Sequence, residues 1–188
     1  MVKFKNDIYI EVNSLDKRKA ENYRVKNSIT EALLELMHEK SISEITITEI
    51  ISKANVARAS FYRNYKSKDD VLMTLVDDIL EDFREKADYD LADCYTRHHV
   101  VRCFQYFKRF RRYVLDLYKF GYGVGLLEKL NDFHEENAKL VRMNAVEKYR
   151  LYIFIGALFD TAVMWLKNGA VESIEDIAEL FCHELGVQ

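Results

Sequence analysis

Two arginines and an asparagine, Arg58, Arg63 and Asn64, fall in one short stretch, NVARASFYRNYKSKDD (55–70). Beside them stand three small residues, Ala57, Ala59 and Ser60, and three aromatic ones, Phe61, Tyr62 and Tyr65. The chemistry open to this set is recognition, not bond making. A guanidinium donates a fork of hydrogen bonds that matches the O6/N7 edge of guanine, and a carboxamide matches the N6/N7 edge of adenine. Small side chains let a helix backbone approach a groove. A Tyr hydroxyl or a Lys ammonium next to them can hold a phosphate, which sets register without reading bases. Phe61 and Tyr65 lie four apart, the spacing of a buried helical face, while Lys66 and Asp69 read as solvated.

Other candidate constellations are weaker. His98-His99 lies near Asp93, Cys94 and Cys103, but without the HExxH or paired CxxC spacing of a zinc site, so loop histidines exposed to solvent are expected. His134 is followed by Glu135 and Glu136 and has no partner histidine four residues on. GYGVG (121–125) lacks the GxGxxG pattern and follows no strand, so it reads as a flexible connection and not as a nucleotide loop. KRFRR (108–112) reads as a solvated helix face. With no nucleophile and base in a recognisable pattern, no enzymatic activity, cofactor or metal is expected.

The elements that must position the recognition residues follow from composition and periodicity. The chain has 188 residues, 49% hydrophobic and 31% charged, which suits a globular protein. It contains no proline, and its six glycines all follow position 120. Long helices are therefore the default, and an all-α fold of about nine helices is expected. Three cysteines (Cys94, Cys103, Cys182) without a CxxC pair suit a reducing compartment. The N-terminus lacks the pattern of a signal peptide. The greasiest run (151–166) is 16 residues long and contains Asp160, short of the ~20 apolar residues of a spanning helix. A soluble cytoplasmic protein, with no membrane partner, is the expectation. Net charge is −3, but residues 1–72 carry 13 Lys+Arg against 11 Asp+Glu (+2), and residues 73–188 carry 15 against 20 (−5). A mildly basic front on an acidic back fits a local DNA-facing surface.

A first helix is predicted over about 18–39, with a stripe of Val25, Ile29, Ala32, Leu33, Leu36 and Met37. Thr46 followed by Glu49 is a capping box opening a very short second helix. ANVA (54–57) is the turn, with Asn55 suited to a left-handed conformation. A third short helix runs to about Tyr65, and Ser67 with Asp70 caps a long fourth. Further helices are predicted over about 97–119, 126–139 and 144–167. Gly169 follows the last of these, and a final helix is capped by Ser173 with Asp176. Two short helices joined by an Asn turn, after a longer one, form a helix-turn-helix whose second helix enters the major groove. Three segments result: a possibly disordered extension (1–16), a helix-turn-helix domain (17–75) and a larger helical domain (76–188).

TITEIISKANVARASFYRNYKSKDDVL (46–72) resembles the DNA-binding domain of TetR/AcrR-type transcriptional regulators. Thr46, Ile50-Ile51, Ala54-Asn55-Val56-Ala57, Ala59, Ser60-Phe61-Tyr62, Tyr65 and Lys68 before Asp69-Asp70 follow the family pattern without a gap. The resemblance implies phosphate contacts from Thr46, Tyr62 and Lys68, and DNA-facing positions for Thr48, Arg58, Ala59, Ser60, Arg63 and Asn64. Two departures stand out. Asn55 replaces the usual turn glycine, and Ala57 replaces the usual serine cap, which removes one end-of-helix hydrogen bond.

The segment 152–181 is similar, more weakly, to the last two helices of the same family, which pair with their copies in a four-helix bundle. The resemblance implies a homodimer on a palindromic operator, with Ile155, Phe159, Val163, Lys167, Ile174, Ile177 and Phe181 at the dimer interface. Independently, 151–166 is apolar around nearly its whole circumference, which calls for a second covering surface. Aromatic density suggests a pocket for a small hydrophobic or aromatic effector, lined by Phe104, Phe107, Tyr113, Tyr118, Tyr122, Phe159, Met164 and Trp165. The expected function is a sequence-specific regulator of transcription, a repressor released by an inducer. The alternative is a regulator of the same kind controlled by a protein partner.

Overall fold

The computed structural model describes residues 17–86, 95–138 and 144–187, and every regular element among them is an α-helix. In order these are α1 (Lys17–Glu39), α2 (Ile47–Ala54), α3 (Arg58–Asn64), α4 (Lys68–Lys86), α5 (Arg97–Arg109), α6 (Arg111–Lys119), α7 (Gly123–Ala138), α8 (Ala145–Lys167) and α9 (Ile174–Leu185). The expected extension over 1–16, and Asp93 and Cys94, lie outside the described residues. The chain divides into two compact units, the first ending at Leu75 and the second beginning at Val76.

In the first unit, α1 buries Ile29, Ala32, Leu33, Leu36 and Met37, a set repeating at three and four residues that makes one helical stripe. Helix α2 starts on the expected capping box. The Thr46 hydroxyl accepts from the Glu49 amide (3.2 Å), and the Glu49 carboxylate accepts from the Thr46 amide (2.8 Å). Lys40 pairs with the same carboxylate. That ion pair and the Thr46 bonds hold the Glu49 carboxyl down to about 2. Asn55 takes the left-handed conformation (φ 52°, ψ 48°), and the Asn55 and Val56 amides close α2 onto the Ser52 and Ile51 carbonyls.

Helix α3 then opens with no help from a side chain. Ala57 holds the extended geometry of an N-cap (φ −68°, ψ 144°) without any cap hydrogen bond. A seven-residue helix is too short to stand in water by itself. Its order comes from Phe61, wholly buried, and Tyr65, 2% exposed, in contact with each other at 5.8 Å between ring centres. Burying a Phe of this kind contributes roughly 2–3 kcal/mol. The Ser67 hydroxyl accepts from the Asp70 amide (3.0 Å) and caps α4 as expected.

In the second unit, α8 packs against α5, α6, α7 and α9. The single helix expected over 97–119 is two helices, broken at Phe110 (φ −98°, ψ 19°). No Gly or Pro marks the break. It turns Phe110, Tyr113, Val114 and Leu117 into the interior, where all are buried. KRFRR is thus not one solvated face: it straddles the break with Phe110 inside. GYGVG is not wholly a loop either. Gly121, at φ +87°, ends α6, and α7 begins two residues later at Gly123. A Cβ on Gly123 would lie 3.0 Å from the Tyr118 ring, so glycine lets that ring pack closely against the start of α7. At the chain's end, Gly169 (φ +90°) follows α8 and the Ser173 hydroxyl caps α9 through the Asp176 amide (3.0 Å).

Because Ala57 already has N-cap geometry, Ala57→Ser supplies the missing acceptor without moving the backbone. We expect it to stabilise the protein by roughly 0.5–2 kcal/mol, measured as a higher urea midpoint at unchanged m-value.

Candidate functional site

The outer face of α3 carries the residues expected to face DNA. Arg58, Ala59, Tyr62 and Arg63 are exposed there, Tyr62 by 50%, while Phe61 points inward from the same helix. The Arg58 guanidinium ties three of the expected residues together. It donates to the Thr48 hydroxyl (3.3 Å) and to the Tyr62 hydroxyl (3.2 Å), and lies over the Tyr62 ring at 5.4 Å. Both hydroxyls act as acceptors toward Arg58, so each keeps its own proton to donate. Two O–H donors around one guanidinium make a surface suited to a phosphate. Arg63 donates to the Ser60 hydroxyl at 3.4 Å and is otherwise extended into solvent. Asn64 gives one amide N–H to the Ser60 carbonyl (2.8 Å), which must break before a bidentate pairing with adenine. Thr46 is exposed, and its hydroxyl donates to Glu49 (2.8 Å) within the capping box.

Lys68 is placed differently from a freely extended phosphate contact. Its ammonium donates to the Ile42 carbonyl and to the Ile45 carbonyl (2.6 Å), 26 and 23 residues upstream. These carbonyls belong to the turn between α1 and α2, so Lys68 ties that turn to the start of α4. The partners are too distant in sequence for any local signal to reveal them.

The second unit holds a cavity of about 80 Å³ among α4, α5, α6, α7 and α8. Ile79 and Phe83 of α4, Phe107 of α5, Tyr113 of α6, Phe133 of α7 and Phe159 of α8 are among its walls. Among the described residues, no Lys, Arg, Asp or Glu lines it. Three of the expected pocket residues, Phe107, Tyr113 and Phe159, are therefore found there. Phe104 leaves α5 on another face, wholly buried against Trp165 and Phe181 at 5.7 and 6.1 Å between ring centres. Trp165 donates its indole N–H to the Glu172 carbonyl (3.2 Å). Tyr118 and Met164 are exposed, and Tyr122 is half-buried at the start of α7. None of these five lines the cavity.

Reading by sequence missed the polar groups at this cavity. Cys103, Tyr106 and His134 line it. The expected loop histidines are also revised: His99 is buried in α5, with its Nε2 3.3 Å from the Cys103 sulfur, and only His98 is exposed. His134 is buried and its Nδ1 donates to the Leu130 carbonyl (2.7 Å). Burial, with the charges of His134, Arg102 and His98 adding to it, pushes His99 down to about 3. Burial likewise pushes His134 down to about 4, against the opposing bond to Leu130. Both rings are neutral at pH 7. The Tyr106 hydroxyl donates toward the Asp82 carbonyl and carboxylate (3.2 and 3.3 Å), and Arg109 pairs with the same carboxylate at 3.3 Å.

Of the expected interface residues, Ile155, Phe159, Val163 and Phe181 are buried inside the chain's own second unit. Their side chains belong to that core. Ile174 and Ile177 are half-buried, and Lys167 is exposed with its ammonium 4.9 Å from the centre of the Tyr118 ring. Uncovered apolar side chains on these helices include Val146 (68% exposed), Tyr149 (67%), Ile153 (63%) and Met164 (51%) of α8 and Leu180 (54%) of α9. Helix α8 is long and apolar enough to cross a membrane by length and composition, and half of its most apolar window is buried inside the protein.

A longer helix, a capped short helix, an Asn turn and a second short helix with a polar outer face define a helix-turn-helix protein. A helical second unit with its own core follows it. The sequence model for bacterial regulatory proteins of the tetR family matches residues 29–74 of this chain. It is 35% identical over 68 residues to the uncharacterized HTH-type transcriptional regulator YxbF of Bacillus subtilis (strain 168). That match covers 36% of this chain and 17% of the relative's length. Among solved structures, it shares its fold with a TetR transcriptional regulator from Streptococcus agalactiae 2603V. The TM-score is 0.60 at 19% identity, covering 89% of this chain and 97% of the other. It also resembles the dihydroxyacetone kinase operon activator DhaS, with a TM-score of 0.54 at 14% identity, covering 86% and 93%.

Two outcomes follow from these placements. Lys68→Ala removes a charged donor from two carbonyls, so we expect it to lower stability by about 1–3 kcal/mol, read in urea unfolding without DNA. A merely solvated lysine would change nothing there. The depressed histidines make folding acid-sensitive. Below the ordinary value of 6.5 the unfolded chain takes up protons that the folded one refuses. Stability contributed by each is complete above that value and is lost as pH falls toward 4 and then 3. Urea midpoints at pH 7, 5.5 and 4.5 should fall, with a slope approaching about 1.4 kcal/mol per pH unit for each histidine.

Proposed function

We propose that the protein is a sequence-specific DNA-binding regulator of transcription. It acts in the cytoplasm as a homodimer, a repressor released from a palindromic operator by a small-molecule inducer. The observation that carries the DNA-binding part is the outer face of α3. Arg58, Tyr62 and Arg63 are exposed on it, and the Arg58 guanidinium holds the Thr48 and Tyr62 hydroxyls together. In this reading Thr48, Arg58 and Tyr62 clamp a phosphate and fix register, while Arg63 reaches the base edges.

The uncovered apolar side chains of α8 and α9 support a homodimer, since an apolar face of this kind needs a second covering surface. Two copies would present their recognition helices to major grooves about 34–36 Å apart. The cavity of the second unit supports control by a small molecule, because its apolar walls and volume of about 80 Å³ suit a small ligand. An inducer acts by binding more tightly to the conformer that holds DNA poorly.

The two kinds of contact are separable by experiment. Operator fragments are first selected from genomic DNA bound by the purified protein. Arg58→Ala should then weaken binding by a similar factor on every fragment and reduce the slope of log affinity against log salt by about 0.9. Arg63→Ala should relax preference at particular base pairs, by about 1–3 kcal/mol. The same profile for both variants would refute the division into phosphate and base contacts.

A further inference from the structure

Apolar atoms form almost the whole wall of the cavity in the second unit. Five phenylalanines contribute to it: Phe83 of α4, Phe107 of α5, Phe110 at the helix break, Phe133 of α7 and Phe159 of α8. The polar side chains that reach it make hydrogen bonds within the protein. Tyr106 donates its hydroxyl proton toward Asp82, the Cys103 sulfur lies 3.3 Å from His99 Nε2, and His134 meets the Leu130 carbonyl through Nδ1.

Two kinds of ligand group are disfavoured by such a wall. A carboxylate or an ammonium would leave its hydration shell and, among the described residues, meet no Lys, Arg, Asp or Glu. Asp82 and Arg109, beyond Tyr106, pair with each other at 3.3 Å. A hydroxyl, carbonyl or amide would give up its bonds to water and face mostly carbon, which is also unfavourable. An apolar group has no such loss, and its release from water drives it in.

Rings in the wall meet one another edge to face. Phe83 stands at 90° to Tyr106 with 4.9 Å between ring centres, and at 69° to Phe133 with 6.2 Å. An aromatic guest can join these contacts and gain more than its buried area alone supplies. Size limits the guest to one ring. The space is about 80 Å³, roughly half that of a ~150 Å³ apolar void that takes up benzene. Small displacements of the wall rings admit a single ring, whereas a fused pair would need the helices to move apart.

We propose that this cavity binds a single aromatic ring carrying only apolar substituents, and rejects the same ring once it bears a hydroxyl or a charge. This ligand class rests on the reading of the cavity as the effector site.

The test uses the full chain and three probes of similar size: toluene, phenol and benzoate. Calorimetric titration should give one toluene per chain and no binding of benzoate. Toluene should bind at least about thirtyfold more tightly than phenol, the lower end of what an unbonded buried hydroxyl costs. Nuclear Overhauser contacts should run from the toluene methyl to the rings of Phe107 and Phe159. Val114→Phe, which adds a ring from the α6 wall, should abolish toluene binding. Should this variant fail to fold, the Overhauser contacts decide the location alone. A preference for toluene below that factor, benzoate bound in the cavity, Overhauser contacts elsewhere, a folded Val114→Phe that still takes up toluene, or no binding of toluene would each overturn the proposal. Operator release is measured separately. Toluene that binds in the cavity without loosening DNA upholds the ligand class and rejects the effector reading. Release by a polar or charged compound bound in the cavity does the reverse.

Discussion

Phe61 is the contact on which the recognition surface depends. Helix α3 has seven residues, an N-cap without a side-chain bond and, at its start, a turn whose Asn55 sits in the left-handed region. Each of these local terms is neutral or unfavourable, and so short a helix would not persist in isolation. What holds it is the wholly buried Phe61 ring and Tyr65 one turn on, packed in a unit where α3 also meets α1 and α2. The polar outer face is thus presented by an inner face that shares no residue with it. Lys68 adds a second tie by drawing the α1–α2 turn onto the start of α4.

The second unit is organised by the opposite requirement. Its core helix α8 buries residues on several sides, yet the helices around it leave an unfilled apolar space. Well-packed cores seldom keep voids larger than a water molecule, because lining atoms lose dispersion contacts. The break at Phe110 allows α5 and α6 both to line the space. The two neutral histidines add polar groups that a purely structural core would do without.

How legible this was in the sequence depended on the range of the interaction. The Thr46–Glu49 box, the Asn55 turn, the Ser67 and Ser173 caps and Gly169 after α8 are bonds or dihedrals within four residues, and each stands where the local pattern put it. The break at Phe110 could not be read, since it has no Gly or Pro and arises from packing of the surrounding helices. Lys68 failed to announce its carbonyl partners for the same reason. In the cavity, aromatic density pointed to the right region but not to the right face. Phe104 and Phe107 are three residues apart on α5, and only the second turns toward the cavity. Ile155, Phe159 and Val163 show the matching ambiguity on α8. A helix apolar all round gives no hint of which side its own chain will cover.

The separation of inner and outer residues on α3 has an evolutionary consequence. Ala59 and Arg63 contribute little to the three-helix core, so mutations there would alter the proposed base contacts at small cost in folding. Phe61 and Tyr65 tolerate no such drift. A lineage built on this domain can therefore change the DNA sequences it reads one position at a time, through intermediates that all still fold.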